Sequence, residues 1–389
     1  MRLSFRFALS QLLLVAALLM QPLASRPALA QGDPILVGVV VPLTGPLATY
    51  GSPFSDAVQM AVDEVNAAGG VNGRPIKLQI EDSQASNTVA INALNRLLQS
   101  KPVAMFGPGL GTQILAMFPV IEKEHLPTFA GPSTRRVTQQ NAKYFFRTTS
   151  HDGVTKELAT RFMLENLGKT RVGIIHVANE WGYSGRDNVT AYLEQFKQLK
   201  PVSVASYQPT DRDLTAQLLQ MKNDGADVIF TQGHPVDEAL IVRQMKQLSI
   251  DIPHLGSASL CGAALRQLLT PAELAGQYCE GPEILPEQSP KPQVQEFVKK
   301  YIAKTKFSPG VYETFYYDVT HMLAEVMKKY GADRESIAKG MREMSYKGIV
   351  GTYRADAEGN LWQGAAIIQF QPDGSAKTVR VAKTAAEGQ

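Results

Sequence analysis

The feature that most constrains the fold is a regular alternation between short apolar runs and segments with helical periodicity. Residues 35–41 (ILVGVVV) predict a strand buried on both faces, and residues 54–65 place apolar side chains on one face of a helix. We expect Ser52 to cap this helix and Pro53 to occupy its first position. Residues 76–80 then alternate apolar and polar side chains, as a strand near a sheet edge does. The order strand, helix, strand predicts a parallel sheet.

The alternation occurs in two successive sets. The first set extends to about residue 149, and the second begins near His151, with a helix expected from about Gly185. The last third is mixed, because helices predicted over 292–304 and 311–330 precede strand-like residues. Two sets of this kind predict an α/β fold made of two doubly wound parallel-sheet lobes.

Residues 1–30 have the order of a secretory signal peptide. Two arginines precede an apolar run from Phe7 to Met20, and Ala30 ends a small-residue cleavage motif. Cleavage there would remove three of the 39 basic residues and no acidic one, leaving 36 basic against 36 acidic residues. A neutral mature chain without a basic patch gives no indication of nucleic-acid binding. We expect an exported, periplasmic protein.

Cys261 and Cys279 are the two cysteines of the sequence. An oxidising compartment would allow a disulfide between them. Their spacing alone does not establish that the two Cα atoms come close enough, so a pair of unbonded buried thiols is the alternative.

Catalytic signatures are missing. The sequence contains no P-loop, dinucleotide fingerprint, nucleophile elbow or zinc motif, and its six histidines are scattered singly. We therefore predict a binding protein rather than an enzyme, with no metal and no cofactor, and keep an exported hydrolase as a weaker alternative.

Three glycine-containing loops follow predicted strands of the first set. They are 42–51 (PLTGPLATYG), 107–112 (GPGLGT) and 130–134 (AGPST). In an open parallel sheet, ligands bind beyond the carboxyl ends of the strands, where the N–H groups of the next helix point outward. A helix N-terminus stabilises an anion by about 0.3–1 kcal/mol. The loops therefore predict a site for a small carboxylate, and tight turns without a ligand are the alternative.

Several longer motifs occur in a characteristic order and spacing. They are VGVVVPLTGPLATYG, AVDEVNAAGGVNGRPIKLQIEDSQ, FGPGLGT, LPTFAGPST, FFRTTSHDG and EWGYSG. In these motifs the chain resembles the exported solute-binding proteins of ABC importers for branched-chain amino acids, amides and related small acids, the leucine/isoleucine/valine-binding protein family. The resemblance covers the mature chain. It implies a type I periplasmic-binding fold, in which two lobes joined by a three-strand hinge close on a ligand.

The resemblance also implies domain boundaries. Crossovers between the lobes are expected at 147–150, 279–284 and 347–353. The boundaries that follow are 1–30 for the signal peptide, 31–149 plus 282–349 for lobe 1, and 150–281 plus 350–389 for lobe 2.

In lobe 1, the resemblance places ligand contacts in the three glycine-containing loops. Thr134 stands where the family bonds the carboxylate and the amine of the ligand, and Tyr50 stands where an aromatic ring flanks it. Gly111 occupies the position of a serine, so only its N–H could meet the carboxylate. The expected lobe 1 set is completed by Gly109, Thr112, Pro132 and Ser133.

In lobe 2, the sequence departs from the family pattern. Trp181 replaces a common tyrosine, His234 falls near another, and Ala258 stands where a glutamate would pair with an α-ammonium group. A buried ammonium without a countercharge is strongly disfavoured. Either Asp152 or Glu180 compensates, or the ligand lacks an α-amine. The aromatic side chains would suit a flat aromatic acid or an oxo-acid, and hinge-side packing is the alternative role for Trp181.

The resemblance thus predicts a monomeric periplasmic substrate-binding protein that closes on a small carboxylate and presents it to an inner-membrane ABC permease. The expected ligand is either a branched-chain amino acid or an aromatic or oxo-acid without an amine. A ligand-sensing domain that signals to a membrane partner is the alternative from another functional class.

Overall fold

The computed structural model describes residues 32–45 and 47–382, so the expected signal peptide lies outside the described residues. The described strands are β1 (Ile35–Val41), β2 (Ile76–Asp82), β3 (Ala104–Phe106), β4 (Thr128–Ala130), β5 (Phe145–Arg147), β6 (Val172–Val177), β7 (Ser203–Tyr207), β8 (Val228–Gln232), β9 (His254–Gly256), β10 (Tyr278–Gly281), β11 (Tyr346–Lys347), β12 (Thr352–Tyr353), β13 (Ala365–Phe370) and β14 (Ala376–Ala382).

The described α-helices are α1 (Ala48–Ala67), α2 (Asn87–Gln99), α3 (Gly111–Lys123), α4 (Asp152–Arg161), α5 (Glu180–Lys197), α6 (Thr215–Asn223), α7 (Pro235–Gln247), α8 (Ala258–Cys261), α9 (Pro271–Leu274), α10 (Pro292–Thr305), α11 (Val311–Tyr330) and α12 (Arg334–Glu343). None of the helices in the described residues has the length and apolar character needed to cross a bilayer.

The first sheet belongs to lobe 1 and has the strand order β2-β1-β3-β4-β5. All of its pairings are parallel. The interior strand β1 is almost entirely buried, as the sequence predicts. In β2, at the sheet edge, Ile76 is buried but Ile80 is 40% exposed, so the predicted alternation is not seen along the whole strand, because the edge position leaves its far end open to solvent.

The second sheet belongs to lobe 2 and has the order β14-β13-β10-β9-β8-β6-β7. Strands β6 to β10 pair in parallel, and β13 and β14 complete the sheet as antiparallel strands. Helices separate the parallel strands along the chain in both sheets. The predicted α/β architecture with two doubly wound lobes is confirmed.

The lobes are joined by segments that lie side by side after β5, after β10 and before β13. The hydroxyl of Ser150 in the first segment donates to the carbonyl of Gly364 in the third. The indole N–H of Trp362 donates to the carbonyl of Pro282 in the second, at 2.9 Å. These hydrogen bonds connect the crossing segments to one another.

The third of these segments lies later in the chain than the resemblance implies. Residues 346–353 form a hairpin instead, and Tyr353 packs edge-on against Phe315 in the core of lobe 1. The N–H of Leu361 still bonds the carbonyl of Arg147 in β5, and the chain joins the second sheet at Ala365. We therefore assign the third crossover to residues 361–364 rather than 347–353.

Two helix starts differ from the sequence-based expectation. Helix α1 begins at Ala48, so the expected cap at Ser52 is wrong. Gly51 lies in its first turn, where an added Cβ would come within 2.0 Å of the carbonyl oxygen of Pro42, so the lack of a side chain lets the helix pack against the end of β1. Helix α5 begins at Glu180 rather than near Gly185, because the side chain of Asn179 caps it.

The structure contains a disulfide between Cys261 and Cys279, whose Cα atoms are 5.5 Å apart. The bond joins the short helix α8 to β10. The disulfide therefore links the helix that follows β9 to the strand that leads into the second crossing segment.

Candidate functional site

A cavity of about 480 Å³ lies between the two lobes. It is found at the carboxyl ends of β1, β3 and β4 in lobe 1 and of β6, β7, β8 and β9 in lobe 2. Open parallel sheets bind ligands at this edge because the loops there connect to helix N-termini. The cavity is therefore the candidate binding site.

The lobe 1 wall consists largely of backbone and small side chains. Of the residues expected to contact the ligand, Gly109, Gly111, Thr112 and Ser133 line the cavity. Helix α3 begins at Gly111, and its first backbone bonds run from the N–H groups of Gln113 and Ile114 to the carbonyl of Leu110, so the N–H groups of Gly111 and Thr112 precede the helical hydrogen bonds. These amides make the lobe 1 wall a favourable environment for a carboxylate.

Thr134 and Pro132 lie outside the cavity lining. The hydroxyl of Thr134 is buried without a hydrogen-bond partner among the described residues. A Cβ at Gly111 would lie only 2.3 Å from that hydroxyl oxygen, so the threonine side chain occupies the space where a residue 111 side chain would be. The absence of a side chain at Gly111 and the presence of Thr134 are thus linked by packing.

A buried arginine, Arg147, binds the backbone of the loop formed by residues 130–134. The guanidinium of Arg147 donates to the carbonyl of Pro132 and, at 3.0 Å, to the carbonyl of Thr134. Burial lowers the pKa of Arg147 to about 10, so it carries its charge at neutral pH. Because the carbonyls of the loop point to Arg147, this contact fixes how the loop approaches the cavity.

Two aromatic rings complete the lobe 1 wall. Phe54 from α1 and Tyr312 from α11 line the cavity with their ring centroids 6.0 Å apart. Phe54 also stacks on Tyr316 at 4.6 Å, which fixes its orientation. The expected aromatic residue Tyr50 lies in the first turn of α1, and its side chain lies outside the described part of the chain.

The lobe 2 wall is formed by larger side chains. Trp181 and His234 both line the cavity, and their rings stack with centroids 4.7 Å apart and an interplanar angle of 28°. Burial lowers the pKa of His234 to about 4, so its ring is neutral at pH 7. The pair forms a flat, uncharged surface.

Trp181 also connects the two lobes. Its indole N–H donates to the hydroxyl oxygen of Ser133 in lobe 1, at 2.8 Å. Beside it, Glu180 is 3.4 Å from the guanidinium of Arg136 in lobe 1. The lobes are therefore in contact across one side of the cavity.

Neither of the acidic residues suggested as a countercharge for an amine lines the cavity. Asp152 is fully buried, and its carboxylate lies 3.1 Å from the ammonium of Lys156 and accepts a hydrogen bond from Ser184. Glu180 pairs with Arg136 instead. Both carboxylates are engaged within the protein.

A buried carboxylate, that of Glu280, holds part of the backbone of the lobe 2 wall. Ala258 lines the cavity, and its N–H donates to the carboxylate of Glu280 at 3.2 Å. Glu280 in turn forms a buried ion pair with Lys156. These contacts make Asp152, Lys156 and Glu280 a buried charged triad behind Ala258.

Glu238 supports the neighbouring part of the same wall. Its carboxyl accepts the N–H groups of Gly233 and Ser257, both at 3.2 Å, and the hydroxyl of Thr231 at 2.6 Å. Burial raises the pKa of Glu238 to about 7. Since Gly233 precedes His234 and Ser257 precedes Ala258, this carboxyl positions two residues of the cavity wall.

Sequence reasoning missed several residues of the cavity. Arg212 and Asp237 bring charges to the lobe 2 side, and Phe54 and Tyr312 bring aromatic rings to the lobe 1 side. A detectable signal existed for Asp237, because Pro235 starts a helix and an acidic residue near a helix start commonly caps it. Arg212 follows an exposed loop and carries no comparable signal.

Comparison with known proteins identifies the family. The model of the periplasmic binding protein family matches residues 34–376. The chain belongs to this family. It is 25% identical over 331 residues to the Leu/Ile/Val-binding protein homolog 1 of Brucella suis, which covers 84% of this chain and 87% of the relative.

Solved structures of similar proteins have the same fold as this periplasmic binding protein. A leucine-binding protein from Thermotoga maritima superimposes with a TM-score of 0.81 at 23% identity, covering 90% of this chain and 99% of the other. A solute-binding protein of an ABC transporter from Rhodopseudomonas palustris, in complex with 3,4-dihydroxybenzoic acid, gives a TM-score of 0.82 at 19% identity. This match covers 92% of this chain and 100% of the other. The predicted type I periplasmic-binding fold is confirmed.

Proposed function

We propose that this protein is the substrate-binding component of an ABC importer that binds a small aromatic carboxylate between its lobes. In this proposal, cleavage after Ala30 releases the protein into the periplasm, and the closed complex delivers its ligand to an inner-membrane permease. The observation that carries the ligand class is the stacked Trp181–His234 pair, which faces a cavity whose opposite wall contains the start of α3.

The carboxylate would bind at the lobe 1 wall. Hydrogen bonds from protein donors to a charged group contribute about 1.5–3 kcal/mol each. The amides at Gly111 and Thr112 can supply such bonds, because both residues line the cavity and Gly111 carries no side chain. The field at the N-terminus of α3 adds to this attraction.

The ring of the ligand would lie between the aromatic walls. Phe54 and Tyr312 approach from lobe 1, and Trp181 and His234 approach from lobe 2. Aromatic pairs in offset or edge-on contact contribute about 0.5–1.5 kcal/mol beyond the burial of their area. A ligand that touches both walls favours the closed arrangement, because it binds that arrangement better than the open one.

An α-amine would be poorly accommodated. Asp152 and Glu280 already share Lys156, and Ala258 offers no carboxylate. Asp237 does line the cavity, which supports an aliphatic amino acid as the second candidate, in line with the names of the relatives. The positive charge of Arg212 near Asp237 opposes an ammonium at that position.

Calorimetry and thermal shift on refolded protein test this proposal with benzoate, cyclohexanecarboxylate and leucine. Benzoate is expected to raise the melting temperature and to bind more tightly than cyclohexanecarboxylate, because only benzoate can stack on the aromatic walls. Leucine is expected to have little effect. Strong stabilisation by leucine together with no response to benzoate would overturn the proposed ligand class.

A further inference from the structure

The lobe 2 side of the cavity contains two charged side chains that the carboxylate site and the aromatic walls do not use. Arg212 belongs to the segment between β7 and α6, and Asp237 belongs to the first turn of α7. They come from different parts of the same lobe and face the same cavity. Burial raises the pKa of the Asp237 carboxyl, and the nearby positive charge of Arg212 acts in the opposite direction.

Backbone contacts hold both side chains in place. One terminal nitrogen of Arg212 donates to the carbonyls of Pro209 and Asp211, at 3.1 and 3.0 Å. These bonds use two of the five N–H donors of a guanidinium. The carboxylate of Asp237 accepts the N–H of His234 at 3.1 Å and also interacts with the hydroxyl of Tyr207, which together use two of its roughly four acceptor positions. Donors and acceptors are therefore left over for a ligand.

The charges of the pair restrict the kind of group that can bind beside it. A second carboxylate would be attracted by Arg212 and repelled by Asp237, and an ammonium would meet the opposite combination. A neutral hydroxyl can accept a hydrogen bond from the guanidinium and donate one to the carboxylate at the same time. A hydroxyl is therefore a small neutral group that satisfies both residues.

We infer that Arg212 and Asp237 recognise a hydroxyl group on the ligand's ring, which makes hydroxyl-substituted aromatic acids the preferred substrate class. This inference rests on the proposed function, in which the carboxylate of the ligand binds at the start of α3 in lobe 1. Carboxylate and hydroxyl are then recognised from opposite walls of the cavity. Ligands with both groups would contact the two lobes through polar bonds as well as through the ring.

Calorimetric titrations with benzoate, 3-hydroxybenzoate, 4-hydroxybenzoate, their methoxy analogues and terephthalate test the inference. At least one hydroxybenzoate is expected to bind tenfold or more tightly than benzoate. Its methoxy analogue should lose that gain, because a methoxy group cannot donate to Asp237. Terephthalate should bind less tightly than 4-hydroxybenzoate, because its second carboxylate is repelled by Asp237.

Variants of the pair assign the preference to these residues. Arg212→Met and Asp237→Asn should each reduce the hydroxybenzoate-to-benzoate affinity ratio to within about twofold of unity. Arg171→Met is the matched control. Arg171 lies in the same lobe and also donates to two backbone carbonyls, but it does not line the cavity, so the ratio should be unchanged.

The outcomes separate this inference from the proposed function. Equal affinities for benzoate and the hydroxybenzoates, a preference that survives Arg212→Met, or tighter binding of terephthalate would overturn the inference while the proposed function stands. Binding of leucine with no binding of any aromatic acid would overturn both. Melting curves of each variant verify folding, and Arg212→Met keeps the test decisive if Asp237→Asn disturbs the start of α7.

Discussion

The two walls of the cavity use their backbone amides in opposite ways. In lobe 1, Gly111 and Thr112 at the start of α3 line the cavity, and the buried Arg147 binds carbonyls of the adjacent loop. In lobe 2, the amide of Ala258 is already bound by Glu280, and those of Gly233 and Ser257 are bound by Glu238. One wall presents donors to a ligand, and the other has its donors satisfied by the protein.

This difference indicates how the two lobes divide recognition. A wall that contains a helix N-terminus attracts any carboxylate, so lobe 1 is suited to a general anion contact. A wall whose backbone is fixed by buried carboxylates recognises ligands through the side chains it holds, here Trp181, His234, Arg212 and Asp237. We therefore expect lobe 2 to determine selectivity.

The largest expected effect comes from removing the cation beneath the lobe 2 wall. Lys156→Met leaves the carboxylates of Asp152 and Glu280 buried together without a countercharge. Breaking a buried ion pair in this way costs about 3–5 kcal/mol. Urea denaturation should show this loss in the free energy of unfolding.

A surface lysine provides the control for that experiment. Lys300 forms an ion pair with Glu64 in lobe 1 at 3.0 Å, but it is exposed to solvent. Lys300→Met should therefore change the stability by at most about 1 kcal/mol. A Lys156→Met protein as stable as the Lys300 variant would contradict the idea that charge supports the lobe 2 wall.

The second-largest expected effect is a change of the free energy of unfolding with pH, caused by the titration of Glu238. Burial raises the pKa of Glu238 from its ordinary value of 4.5 to about 7, so the native state holds a proton that the unfolded state loses between these values. Wild-type stability should therefore fall as the pH rises from 4.5 to 7, and this contribution should be constant above pH 7. Glu238→Gln cannot titrate and should lack this decrease.

The difference between the two proteins isolates this contribution. Each pKa unit corresponds to about 1.4 kcal/mol, so wild type should lose up to about 3 kcal/mol relative to Glu238→Gln over this range. Burial lowers the pKa of the nearby His254 to about 4, and this shift makes stability rise with pH instead. His254 is present in both proteins, so the comparison between them largely removes its contribution. Urea denaturation at several pH values measures the two curves, and parallel curves would disprove the assignment.

The third test adds a side chain to the lobe 1 wall. Gly111→Ala places a Cβ 2.3 Å from the hydroxyl oxygen of Thr134, and overpacking of this kind costs about 1–3 kcal/mol. Benzoate affinity should fall as well, because the displaced loop no longer leaves the amides accessible. Thermal unfolding and calorimetry report the two effects.

Two variants identify the cause of that loss. Thr134→Ala combined with Gly111→Ala should recover part of the stability, since it removes the nearest clashing atom. Gly281→Ala is the control, because its Cβ would meet no neighbour closer than 3.4 Å. If the Gly111 and Gly281 variants were equally stable, the proposed coupling between Gly111 and Thr134 would be wrong.

The smallest expected effect concerns the contact between the walls. Trp181→Phe keeps an aromatic ring beside His234 but removes the N–H that donates to Ser133. A neutral hydrogen bond contributes about 0.5–1.5 kcal/mol, so ligand affinity should fall about three- to tenfold. Small-angle scattering should also detect a more open average shape.

Ser133→Ala removes the same bond from the other lobe. The double variant should bind as well as the weaker single variant, because one bond cannot be lost twice. Independent, additive losses would mean that the two residues act through separate contacts with the ligand.

The fold could be predicted because its signals are local. The buried strand β1 and the helical face that includes Val58 and Val62 follow from apolar periodicity alone. The start of α1 could not be predicted in this way, because it depends on the close approach of Gly51 to Pro42. The third crossover was likewise set by the packing of Tyr353 in lobe 1, which no local pattern encodes.

The candidate site was predictable only in part for the same reason. Gly109, Gly111 and Thr112 follow a strand directly, so the position of their loop at the sheet edge can be read from the sequence. Tyr312 and Arg212 reach the cavity from elements whose spatial neighbours are distant in the chain. Thr134 does not line the cavity, and its buried hydroxyl lies against Gly111, a contact between two residues that are distant in the chain.

The positions of the two tryptophans have a practical consequence for observing the molecule. Trp362 is buried at the hinge, where it bonds Pro282, whereas Trp181 bonds Ser133 at the cavity. The chain contains these two tryptophans and no other. A protein with Trp362 replaced by phenylalanine would emit only from the indole at the cavity, so its intrinsic fluorescence would follow the opening and closing of the lobes without any attached dye.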